Sequence, residues 1–139
     1  MTGSSTDEAG RELYVIGTPP NLAGQVCQAF LCQELWYEGQ LADPTNTIWF
    51  RVNDQWNLLY FEADTIFWQT YNQEPIVFDL EDGSEIKLSN LGQEVEIEGI
   101  VLKSYTHGLL SHGVAVEFIF SNDVIISIAS NGEAGRVSY

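Results

Sequence analysis

After a polar start, the chain is a succession of short apolar runs, most of them alternating with period two. Trp56, Leu58 and Tyr60 can share one strand face, with Leu59 and Phe61 on the other. Val114, Val116, Phe118 and Phe120 line one face across from Ala115, Glu117 and Ile119, and Val95 and Ile97 alternate with Glu94, Glu96 and Glu98. Ile125 to Ile128 and Arg136 to Tyr139 continue the series. The runs are rich in β-branched and aromatic residues, which fit a pleated, half-buried surface better than a helix. Turn chemistry separates them at Thr18-Pro19-Pro20-Asn21, Ala42-Asp43-Pro44-Thr45, Asn53-Asp54, Glu81-Asp82-Gly83, Ser121-Asn122-Asp123 and Ser130-Asn131-Gly132. Turns at roughly ten-residue intervals are the mark of all-β sandwiches and barrels. The pattern therefore predicts an all-β, mainly antiparallel fold, a β-sandwich or a strongly curved sheet, with little helix.

One segment reads two ways. Between Gln25 and Leu35, the residues Cys27, Phe30, Leu31 and Leu35 have helical spacing, and Asn21 could cap a helix. An internal comparison favours a strand. Gly24-Gln25 recurs as Gly92-Gln93, 68 residues on, and the same offset sets Ile48 to Val52 against Val116 to Phe120 and Trp56 to Phe61 against Val124 to Ala129. Two similar halves, residues 22–71 and 90–139, would make residues 25–35 a strand like Val95 to Tyr105. Residues 1–11, small and polar, read as a disordered tail, and 12–139 as a single β domain.

Charge narrows the partners. Twenty acidic residues stand against five basic ones, a formal net charge of −15. Such a chain repels nucleic-acid phosphates and anionic membrane surfaces, and favours a basic protein or a cation. No apolar run is long enough to span a bilayer, and the first residues lack the basic start and apolar stretch of a secretory signal. Cys27 and Cys32, five apart, would point to opposite faces of a strand, so they read as buried free thiols. That fits a reducing, cytoplasmic compartment.

The densest acidic stretch, from Glu74 to Glu98, holds Glu74, Asp79, Glu81, Asp82, Glu85, Glu94, Glu96 and Glu98 against the single Lys87. On a strand, Glu94, Glu96 and Glu98 would emerge on one face about 7 Å apart. They form either a solvated edge-protecting face or a docking surface for a basic protein. Trp36 and Tyr37 lead into a polar loop and are the aromatics most exposed in this reading, candidates for partner contact; Phe67, Trp68 and Tyr71 read mainly as core. No catalytic, cofactor-binding or metal-binding set is assigned. His107 and His112 have no third ligand at a recognisable spacing, and Asp79 to Glu85 is too compact for a calcium loop and reads as a hairpin turn at Asp82-Gly83.

The stretch Gly113 to Glu133, a strand ending in Phe120-Ser121-Asn122 followed by a second strand and Asn131-Gly132-Glu133, resembles a pattern in small uncharacterised bacterial β proteins, as does Trp56 to Trp68. Some of those are immunity proteins encoded beside polymorphic toxins. This chain departs from the usual Asn-Gly turn with Asn122-Asp123. The resemblance implies a β fold and a role in masking a basic toxin domain, and carries over no binding residue. The expected function is thus a non-catalytic acidic binding protein. A small-ligand or carbohydrate-binding β module, an enzyme using His107 or His112, and a structural protein that associates with its own copies remain the alternatives.

Overall fold

The computed structural model describes residues 2–6, 12–62, 65–75, 78–79, 83–131 and 135–139. Its strands are β1 (Thr2–Thr6), β2 (Glu12–Ile16), β3 (Ala29–Tyr37), β4 (Gln40–Val52), β5 (Gln55–Glu62), β6 (Thr65–Tyr71), β7 (Phe78–Asp79), β8 (Ser84–Asn90), β9 (Leu102–Leu110), β10 (Gly113–Phe120), β11 (Ile125–Ser130) and β12 (Gly135–Ser138), with one short helix, α1 (Leu91–Glu94). They form an eight-stranded sheet, β1-β2-β6-β5-β4-β3-β8-β7, and a four-stranded sheet, β12-β11-β10-β9. Every pairing between strands is antiparallel except β2 with β6.

The two sheets pack because period-two alternation gives each an apolar face. From the large sheet come Leu13, Val15, Phe30, Cys32, Ile48, Phe50, Val52, Leu59, Phe61, Ile66 and Trp68. From the small sheet come Leu102, Val114, Val116, Phe118, Phe120, Ile126 and Ile128. The faces expected for Leu59 with Phe61 and for Val114 to Phe120 are the ones buried. At the centre, Phe30 meets Phe50 and Phe118 edge-on at 5.1 and 5.3 Å between ring centres, the geometry favoured by the ring quadrupole.

Two of the hairpin turns are legible in the backbone. Glu38-Gly39 and Asn53-Asp54 both hold positive φ at successive residues, as a two-residue turn matching the strand twist requires. Ala42-Asp43-Pro44, read as a break, instead lies inside β4. Up to that point β4 pairs with β3 alone, since its pairing with β5 begins at Thr47. A proline is tolerated where one side of the strand carries no ladder.

Four further expectations change. Thr2–Thr6, read as part of a disordered tail, pair with β2 as an edge strand. Residues 25–35 are a strand only from Ala29; before it, Val26 makes a single bridge to Val101. Cys27 lies in that irregular stretch, so it is not held to strand alternation with Cys32, and both thiols enter the same core. Finally, Glu94, Glu96 and Glu98 are not on a strand.

The local sequence explains the last point. The Asn90 side chain accepts the Gln93 N–H and caps α1. At the other end Glu96, at φ 57°, donates to the Gln93 carbonyl while Ile97 donates to Gly92. This is a Schellman closure, and its usual apolar contact is supplied by Leu91 and Ile97, both in the core. An extended strand through residues 91–98 would leave the Asn90 side chain without the Gln93 N–H that it accepts here.

Stability measured by urea unfolding tests these assignments. Gly113 has φ 118°, and an added Cβ would overlap the Ser130 carbonyl oxygen, so Gly113→Ala should cost about 3 kcal/mol or more. Gly39, at φ 78° with open space around it, should lose only about 1 kcal/mol on the same change. Glu96→Gly should gain up to about 1 kcal/mol by relieving the left-handed backbone.

Candidate functional site

The sheets are unequal, and the difference creates the surface of interest. The small sheet ends at β12, which sits over β4, while β8 packs within the large sheet against β3 and β7. Beside β12, the inward side of β8 and the end of β3 carry part-exposed side chains and form a ledge at the rim of the small sheet.

The side chains on it are set by strand register. On β3, Glu34 and Trp36 follow Phe30 and Cys32 at period two; on β8 their direct partners are Lys87 and Glu85. The pairing with β4 is irregular between Gln33 and Trp36, whereas that with β8 stays in register. A bulge of this kind turns the strand away on one side and re-aims its side chains. The resulting cluster is tightly connected. The Lys87 ammonium sits 4.5 Å from the centre of the Trp36 ring, over its face, and 3.6 Å from the Glu85 carboxylate. The Trp36 indole N–H donates to Glu34 at 3.1 Å. Each contact is individually weak in solvent, since Lys87 and Glu85 are about half exposed.

Further along, a cavity of about 130 Å3 is lined by Cys32, Glu34, Ser89, Leu91, Glu94, Val137 and Tyr139. The Tyr139 hydroxyl donates to Glu94 at 2.8 Å, a bond that, with the charge beside it, holds the phenol above its ordinary range. Of the residues expected to meet a partner, Trp36, Glu85 and Glu94 thus share this ledge. Tyr37 is exposed, one position out of phase with Trp36 and paired with Ser84. Glu96 and Glu98 are exposed on the turn after α1. Glu81 and Asp82 lie outside the described residues. Glu34, Lys87 and Tyr139 were missed; Glu34 and Lys87 could have been found only by knowing the β3–β8 register.

The outward side of the large sheet is also aromatic. Arg51 and Trp56 face each other across β4 and β5, the guanidinium 5.9 Å from the ring centre. Trp49 donates to Gln33 and meets Tyr71 edge-on at 5.0 Å, and Tyr60 stacks on Phe67 at 4.8 Å. Trp49 and Trp56 are only 8% and 7% exposed, so these rings pack on each other instead of forming an open platform. Trp68 faces the other way, into the core.

The histidines are separated. His107 lies between the sheets, where it accepts the Trp68 indole N–H. His112 is exposed at the β9–β10 turn and borders a cavity of about 310 Å3 with Leu110, Ala129, Ser130, Asn131, Gly135 and Arg136. Among the described residues no group of three or more His, Cys, Asp or Glu side chains could hold a metal ion, and no helix is long and apolar enough to cross a membrane. Comparison with protein-family models, curated proteins and solved structures finds no match.

Burial, reinforced by the nearby Glu98 carboxylate, pushes the Cys27 thiol up to about 12. The thiolate, which is the reactive form, is then on the order of 1,000-fold scarcer than for a free cysteine. Folded protein at pH 8 should react with a colourimetric disulfide reagent far more slowly than protein in urea, where both thiols should titrate at once.

Proposed function

We propose that this chain is a non-catalytic acidic binding protein that docks a basic segment of another protein on the ledge formed by β3, β8 and β12. The observation that carries this reading is the Lys87 ammonium resting on Trp36 beside Glu85, with Glu34 bound to the indole N–H. The chain's own cation occupies an aromatic and carboxylate setting that a partner's lysine or arginine could enter. Arginine suits it best, because a planar guanidinium can stack on the indole and pair with a carboxylate together.

The net charge of −15 supports the same partner class. A field of that sign speeds the approach of a basic surface, and the complex then depends on a few anchors such as Trp36. Masking a basic toxin domain, as an immunity protein does, is one use of such a surface and the one the sequence resemblance favours.

Association with an arginine-rich probe peptide, followed by stopped-flow fluorescence, tests the reading. The on-rate should fall about tenfold or more between 20 and 500 mM salt, as screening shortens the reach of the field. A Glu34→Gln, Glu85→Gln double variant and Trp36→Ala should each weaken binding about tenfold, whereas Glu117→Gln, on the outward side of the small sheet, should change it less than twofold. Equal losses from the ledge and from Glu117 would reduce the effect to net charge and remove the ledge from the argument.

A further inference from the structure

We propose that His107 is a proton-operated latch between the two sheets: its unprotonated Nε2 accepts the Trp68 indole N–H, and a proton taken up at that nitrogen releases β9 from β6. The two nitrogens are 2.9 Å apart. An indole nitrogen can only donate, so Nε2 must be the acceptor and the ring's single proton sits on Nδ1. A second proton at Nε2 sets two donors against each other and leaves a buried indole N–H without a partner.

His107 is half-buried, and among the described residues no ion pair is there to compensate the charged ring. Trp68 and Tyr105 meet it edge-on at 6.1 and 5.6 Å between ring centres. On β10 its direct partner is Val116, and the adjoining β2 contributes Leu13 and Val15 to the same core. The one titratable group facing it among the described residues is the Tyr105 phenol, whose hydroxyl is already committed to the Pro20 carbonyl. Lys103 and Thr106 on its own strand are exposed, and Glu117 on β10 is paired with Thr106, out of phase with His107. Burial holds the imidazole below its ordinary value of 6.5. The unfolded chain therefore binds the proton first as pH falls, so this group's contribution to stability is intact above about pH 6.5 and declines as the pH drops below it.

The position gives the proton a local effect. β9 is the edge of the small sheet, held by β10 on one side. On its other side, among the described residues, the backbone is tied only at its start, by Gly24 donating to Leu102 and Leu102 donating to Gln25. Past that point the polar ties from β9 across the sandwich, among the described residues, are Trp68 with His107 and Tyr105 with Pro20. Losing the first should loosen the middle of β9 while the Phe30, Phe50 and Phe118 contacts stay closed.

Nuclear magnetic resonance of the full chain, titrated from pH 7.5 downward through the His107 midpoint, decides it. The expected result is a Trp68 indole N–H resonance that moves with the same midpoint as the His107 ring. Amide exchange at residues 105–109, corrected for intrinsic pH dependence, should rise about tenfold or more. His107→Gln, whose side-chain oxygen can accept at every pH, should flatten the Trp68 response. Trp68→Phe should raise the His107 midpoint. An indole resonance that ignores the His107 titration overturns the latch, as does an unchanged His107 midpoint in Trp68→Phe. Either test stands if the glutamine variant fails to fold.

Discussion

The Phe30 ring touches Phe50 within its own sheet and Phe118 in the opposite one, and this is where the two apolar faces close on each other. Neither face could remain in water. Each buried phenylalanine removes a large apolar area from solvent, and truncating such a residue to alanine in a packed core typically costs about 3–5 kcal/mol. All else is positioned from that closure. It fixes which side of every strand points inward, and a slip of one residue in any strand would turn its apolar set outward.

Closing eight strands against four also leaves part of the larger sheet uncovered. On β3 the inward positions run from Phe30 and Cys32, which are buried, to Glu34 and Trp36, which are not. The change from apolar to acidic along one side of one strand marks where the small sheet ends. The carboxylate that does lie under β12, Asp43, is buried and accepts the Gly135 N–H at 3.0 Å; past β12 a carboxylate costs little and can recruit a cation. The ledge is thus a product of the same packing that makes the core, and its acidic character follows from its position beyond the cover.

Much of the fold was legible because it rests on local rules. Alternation assigned Leu59 and Phe61 to the core and Val114 to Phe120 to one buried face, and Asn53-Asp54 announced its own turn. Where a competing local rule existed, alternation misled. Glu94, Glu96 and Glu98 obey period two, yet Asn90 caps a helical turn there and Ile97 closes it. The pair Asp43-Pro44 looked like a break because the sequence does not say that β4 has a neighbour on one side only at that point. At the candidate site, Trp36, Glu85 and Glu94 were picked out by chemistry, but their association was not visible, since register between strands some fifty residues apart is a property of the sheet.

By itself, then, the sequence determined the fold class, the negative charge, the buried cysteines and the residues that alternate into a core, because these depend on composition and on neighbours along the chain. The tertiary structure alone decided that one sheet outgrows the other, that Lys87 rests on Trp36, and that His107 meets Trp68 across the sandwich. Those outcomes depend on which strands become neighbours, and that is settled only when apolar faces far apart in sequence find each other and exclude water.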